Sequence, residues 1–212
     1  MSQDFIKIQQ DYLTAAGQSE FERLKWRQFA LQMLTSWLEG YSLVPANLAA
    51  VGKKVNIVDE YGTVIKKIHS YGIAIHGFFI LGLDEDDEEV FKRTLNFTQK
   101  MRLESAQFAW PVPYPGTALY ESLDRAGRIV TKDWSLYTSN VVFEPKLMSR
   151  EMLKKGHDWA WREFYCLPSI WRRIGIARRN FVTFWVMNLS FRAAWGRKSR
   201  SGGFVSPRLT GI

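Results

Sequence analysis

Gly72-Ile73-Ala74-Ile75-His76-Gly77-Phe78-Phe79-Ile80-Leu81-Gly82-Leu83-Asp84 is the stretch on which the fold turns. From Ile73 to Leu81 it is apolar on both alternations, as expected of a strand buried on two sides. Immediately before it, Ile57, Tyr61, Val64, Ile65 and Ile68 recur at three and four, which is one face of a helix, and Gly72 stands where a C-terminal cap belongs. Immediately after it come Gly82 and a run of acids from Asp84 to Glu89. A helix carrying Val90, Phe91, Leu95 and Met101 follows, its acids expected in the first turn and Lys100 and Arg102 in the last. A second strand follows at 105–110, stopped by Pro111. Helix, strand, helix and strand with short links predict a parallel sheet with crossover helices, hence an α/β fold.

Beyond this unit, Pro111-Val112-Pro113-Tyr114-Pro115-Gly116-Thr117 reads as a rigid turn into a short helix at 118–125 that closes near Gly127. Residues 128–145 read as extended and irregular, anchored by Trp134, Tyr137 and Phe143. Ser149 opens another helix that runs toward Cys166 and is interrupted at Pro168. Residues 169–195 mix Arg with Trp, Phe, Ile and Val at helical density. At the other end, 1–39 read as two helices, with Ser19 and Glu22 as a capping box. The expected division is a helical N-terminal segment at 1–45, an α/β unit at 46–146, a helical C-terminal extension at 147–195 and a basic, flexible tail at 196–212.

Composition bounds what such a chain can do. Its 212 residues are fewer than the ~250 of a complete eight-fold barrel. Apolar residues make up 46% and charged residues 24%, which is globular composition. The single cysteine, Cys166, excludes an intrachain disulfide, a Cys-rich zinc site and a cluster held by three or four thiolates of this chain. Charge is uneven: residues 146–212 carry 14 Lys and Arg against 3 Asp and Glu, a net +11, while 1–145 carry 15 against 18. A basic C-terminal third suggests an anionic partner. In that third the pattern Arg172, Arg173, Arg178, Arg179, then Phe181, Phe184, Trp185, Met187, Leu189 and Phe191, then Arg192, suits two uses. One is docking on the protein's own body and the other is lying flat on an anionic membrane. Nucleic acid is the weaker third use, since no reader motif accompanies the charge. No signal peptide is readable and no run reaches ~18 apolar residues, so a cytoplasmic protein, or one peripheral to a membrane, is expected.

In parallel α/β sheets ligands sit at the carboxyl ends of strands, so the places to look are 81–87 and 110–117. The acids of 84–89 are read as N-cap and dipole complements rather than as metal ligands. His76 is either a buried, hydrogen-bonded histidine or a residue pointing into a ligand cavity, the former favoured. His69 and His157 have no partner at metal spacing, and Cys166 is read as a buried, inert thiol. No catalytic residue and no metal ligand is assigned.

The order of the pieces nevertheless carries a resemblance. Asn47-Leu48, Gly52-Lys53-Lys54-Val55-Asn56, the 72–84 stretch, Pro113-Tyr114-Pro115-Gly116-Thr117-Ala118-Leu119-Tyr120, Gly127-Arg128-Ile129, Asp133-Trp134 and the helix opening at Ser149 follow one another as in a known family. From about 47 to 170 the chain resembles the C-terminal half of cobalamin-dependent radical SAM enzymes of the magnesium-protoporphyrin cyclase and hopanoid-modifying type. The resemblance implies an incomplete (βα) barrel with helical extensions at both ends, the first strand standing where the fifth barrel strand would be. Ile80-x-Gly82-x-x-Glu85 looks like the family's adenine-side motif, with Phe78 where a Gly is common. The end of the next strand, Trp110 to Val112, would approach the adenine of S-adenosylmethionine. The implied partial pocket is therefore Ile80, Gly82, Glu85, Trp110 and Val112.

The family's C-x₃-C-x₂-C motif for its iron–sulfur cluster is not in this sequence, nor is a cobalamin-binding domain. The expectation is a truncated or rearranged part of such an enzyme, not catalytic alone, whose partner is the missing N-terminal half or another chain. Two alternatives stay open: an accessory protein that keeps part of a barrel to dock a partner at a membrane surface, and a nucleic-acid-binding module using the basic end.

Overall fold

The computed structural model describes residues 42–50, 60–70, 72–137, 139–175 and 181–201. The expected helix pair at 1–39, Ile57, Arg178, Arg179 and residues 202–212 lie outside these. Among the described residues the architecture is α/β, with seven α-helices and a two-stranded parallel sheet. In chain order the elements are α1 (Pro45–Ala50), α2 (Tyr61–Ser70), β1 (His76–Ile80), α3 (Val90–Lys100), β2 (Ser105–Ala109), α4 (Ala118–Arg125), α5 (Arg150–Phe164), α6 (Leu167–Ile174) and α7 (Phe181–Ser201). A short 3₁₀ turn spans Trp134–Leu136. The strand–helix–strand unit read from the sequence is present, and β1 pairs with β2 from His76↔Ser105 to Ile80↔Ala109.

The pairing sorts the side chains onto two faces. Gly77, Phe79, Ala106 and Phe108 share one face and are buried, packed with Val90, Phe91 and Leu95 of α3 and Leu153, Ala160, Trp161 and Phe164 of α5. His76, Phe78, Ile80, Gln107 and Ala109 point the other way and are half-buried. The expectation of a strand buried on both sides is thus corrected: among the described residues, cover is complete on the helix side alone. Ile73 and Ile75 are buried too, but they precede the strand.

Local chemistry places several boundaries as expected. Gly72 adopts φ +69° and donates to His69 O, closing α2. Thr117 caps α4 by accepting the Tyr120 N–H, and Ser149 caps α5 by accepting that of Met152. Others differ. The acids expected in the first turn of α3 precede it: the helix starts at Val90, and Glu89 makes no side-chain cap. Arg102 lies past the helix in left-handed backbone at φ +54°. Pro168 does not interrupt a helix. α5 ends at Phe164, and Pro168 sits in the first turn of α6, where its missing N–H is not needed. Trp134 is 53% exposed and leans on Tyr137, so of the three expected anchors only Tyr137 and Phe143 are buried. α7 runs through Ser201, past the Gly196 at which a flexible tail was expected.

Candidate functional site

The ends of β1 and β2 are tied at one level by Leu81 N–H donating to Ala109 O at 2.8 Å. Past β1 the chain turns at Gly82, whose φ of +93° is left-handed backbone. A Cβ there would meet the Leu153 side chain at 2.5 Å, so glycine lets α5 close on the loop. That is a packing reason for Gly82.

The loop is held by a carboxylate. Asp86 is fully buried. Its Oδ2 accepts the N–H groups of Gly82 at 2.9 Å and Leu83 at 3.0 Å, and its Oδ1 accepts Asn47 Nδ2 at 2.7 Å. Asn47 returns the favour to the loop, its Oδ1 accepting the Glu85 N–H at 3.0 Å. Burial pushes the Asp86 carboxyl up to about 6, against its hydrogen-bond donors and the Arg93 guanidinium, which pull it down. The other acids of the run are exposed, and three of them pair outward: Asp84 with Arg128 at 2.8 Å, Glu85 with Lys146 at 3.4 Å, Asp87 with Arg93 at 2.6 Å. Reading all six as dipole complements therefore missed Asp86, which braces the loop from inside. No group of three or more metal-ligating side chains occurs among the described residues.

The five expected pocket residues do not share one environment. Ile80 lies beside Ala109 on the half-open face, next to Gln107 and Phe78. Gly82 follows in the Asp86-bound loop, and Glu85 projects outward to Lys146. Trp110 falls on the helix side: it is 8% exposed and packs edge-on against His157 with ring centroids 4.5 Å apart. Only its backbone borders the strand end. Val112 is half-buried against the core. Asn47, Asp86, Gln107 and Ala109 were not anticipated. Asn47 and Asp86 both lie in stretches quoted for the resemblance or next to them, but nothing local marks which acid is buried.

His76 takes the structural role. Its Nδ1 lies 2.7 Å from Ser105 Oγ, and Phe191 of α7 stacks near its ring. Desolvation holds its pKa down, to about 4, so the imidazole is neutral at pH 7. Cys166 is half-buried rather than buried, at the N-cap of α6. Its neighbour Tyr165 bonds Ala106 near the start of β2, which puts Cys166 toward the opposite end of the sheet from the loop.

The outer edge of β2 is closed by side chains. Tyr165 Oη donates to Ala106 O at 2.7 Å and accepts its N–H at 3.3 Å. His157 Nε2 and Trp161 Nε1 each lie 3.0 Å from Phe108 O. Arg173 and Asn188 reach Glu104 O at 3.1 and 2.9 Å. On β1 the alternation turns the N–H and C=O groups of His76, Phe78 and Ile80 to its other edge, and among the described residues no strand pairs there.

A two-stranded parallel α/β unit with a braced loop past its first strand is the class of structure these observations define. No family model matches the chain. It is 34% identical over 144 residues to a bacteriochlorophyllide d C-12(1)-methyltransferase of Chlorobaculum tepidum, covering 68% of this chain and 31% of that protein. It is 29% identical over 130 residues to an uncharacterized methyltransferase of Pyrococcus horikoshii, covering 61% and 28%. It is 26% identical over 137 residues to an anaerobic magnesium-protoporphyrin IX monomethyl ester cyclase of Cereibacter sphaeroides, covering 62% and 22%. The chain thus spans less than a third of the length of these curated relatives.

Proposed function

We propose that this chain supplies two C-terminal strands of a radical SAM-type barrel and one wall of an S-adenosylmethionine pocket, and that it does not reduce S-adenosylmethionine by itself. The carrying observation is the half-open face of the sheet. Ile80 and Ala109 stand side by side at its C-terminal end, directly before a loop whose backbone Asp86 and Asn47 lock. The similarity to two methyltransferases and a cyclase over about two thirds of the chain supports the same reading. In it, Ile80 offers an apolar surface to the adenine. The loop after Gly82 is kept rigid enough that its shape is set before ligand arrives.

The residues present do not fit an iron–sulfur cluster. The chain has one thiol where three thiolates are needed, and Cys166 lies toward the wrong end of the sheet. No residue here is assigned to cobalamin, and no step is routed through either group. Cluster ligands come from elsewhere in this reading.

Equilibrium dialysis of the full chain against labelled S-adenosylmethionine tests the pocket. Saturable binding weakened roughly tenfold or more by Ile80→Arg, which puts a charge on the half-open face, is the expected result. Absence of saturable binding overturns the pocket. Anaerobic reconstitution with iron and sulfide tests the second part, and 5′-deoxyadenosine released by the isolated chain overturns it.

A further inference from the structure

We infer that the outer face of α6 and α7 docks on an anionic lipid bilayer. The inner face of α7 already has its partners: Asn188 bonds Glu104 O, Phe191 packs on Tyr165, and Trp195 stacks on Trp161 with centroids 4.9 Å apart. The opposite face does not. Val182, Val186 and Leu189, spaced four and three apart, are 59, 60 and 41% exposed. On α6, Leu167 and Trp171, also four apart, are 50 and 55% exposed, and Trp171 touches Trp185 of α7, joining the two helices' surfaces. No charged residue interrupts the chain from Phe181 to Phe191.

A contiguous aliphatic and aromatic surface of this kind is seldom left to water. Its surroundings name the occupant. After Glu163 the chain has no Asp or Glu at all. Arg172 is exposed beside Trp171, and Arg192, just past Leu189, is exposed while one guanidinium N–H donates to Tyr165 O at 3.1 Å. Exposed apolar side chains on a segment whose charged residues past Glu163 are all basic are what an anionic bilayer surface accepts. A second copy of the chain would bring the same positive charge to the contact. Nucleic acid would leave the valines and leucine unused. No helix among the described residues is long and apolar enough to cross a membrane, so the contact is peripheral.

The test is flotation of the full chain with vesicles of phosphatidylcholine alone or mixed with phosphatidylglycerol. Expected is retention on the mixed vesicles, at least about tenfold above pure phosphatidylcholine and reduced by high salt. The double variant Val186→Asp/Leu189→Asp alters exposed positions, keeps the circular dichroism of the parent, and loses retention. Three outcomes overturn the inference: no retention, retention indifferent to that variant, or self-association that the variant abolishes in the absence of lipid. Salt-sensitive binding to RNA that competes with the vesicles and survives the variant overturns it as well. None of these outcomes touches the Ile80 pocket.

Discussion

Asp86, buried, and His76, half-buried beside Ser105, lie near the strands and titrate in opposite senses over one range of pH. The Asp86 carboxyl, ordinarily near 3.8, is raised to about 6 by burial. Over that interval the folded chain keeps a proton that the unfolded chain has lost, so stability falls as pH rises toward 6. His76, ordinarily near 6.5, is lowered to about 4 by burial. There the unfolded chain takes up a proton that the folded one refuses, so stability falls as pH drops toward 4. Each slope amounts to at most about 3 kcal/mol at 1.36 kcal/mol per pKa unit. Opposed, they leave a nearly flat profile between pH 4 and 6. Asp86→Asn is expected to expose the histidine's slope, stability dropping on acidification. His76→Gln is expected to expose the carboxylate's, stability rising on acidification. Urea melts of the two variants across this range check both signs, and parallel slopes would contradict them. Asp86→Asn also turns an amide N–H toward groups that need an acceptor, costing about 1–3 kcal/mol near neutrality. In the sequence, six acids in a row could be seen, but not which one faces inward; that depends on Asn47, which is 39 positions away in the chain.

At the scale of elements, what the sequence disclosed was local. The apolar run at 73–81, the three-and-four spacing in α2 and α3, and the Ser149 cap each lie within a dozen residues, and each produced its element. What it did not disclose was how β2 ends the sheet. A side-chain hydroxyl, an imidazole, an indole, a guanidinium and an amide, drawn from α5 and the residue that ends it, α6 and α7, occupy the backbone groups to which a further strand would bond. Those partners are 49 to 84 residues away in the chain, beyond any periodicity. The same distance hid the approach of α5 to α3. Gly156 is buried against the Phe91 ring, and a Cβ there would lie 2.3 Å from it. Gly156→Ala adds about 1 kcal/mol of helix propensity but must displace a packed ring, at about 1–3 kcal/mol. The clash dominates, and a lower midpoint in thermal melts is expected. Tyr165→Phe removes the hydroxyl that serves both polar groups of Ala106, for about 1–3 kcal/mol. Hydrogen exchange should rise at the Ala106 amide in that variant while Phe79, inside the ladder, stays protected.

Over the whole molecule these closures give the sheet a direction. Arg173 shows how firmly the β2 side is shut. Fully buried and with no carboxylate partner among the described residues, it bonds Leu103 O, Glu104 O, Phe164 O, Asn188 Oδ1 and Ser169 Oγ and lies 3.6 Å over the Phe164 ring. Burial lowers its pKa to about 10, yet it stays charged at neutral pH, its cost offset by five acceptors. Further strands can therefore add beside β1 but not beside β2, whose outer edge these side chains occupy. Removing α7 by ending the chain after Gly175 takes away Asn188 and Trp195, and with them one acceptor of Arg173, one donor to Glu104 O and the Trp161 stack. The expected consequence is a loss of about 1–3 kcal/mol from a buried cation short of one acceptor, together with association through the Tyr165 and Trp161 rings that Phe191 and Trp195 no longer cover. Size-exclusion chromatography and urea melts of the shortened chain, beside one carrying Arg173→Met as well, separate the two effects. If the charge is the main penalty, the Met replacement recovers stability and leaves the association in place. A shortened chain as stable and as monodisperse as the parent would mean that α7 does not close the sheet.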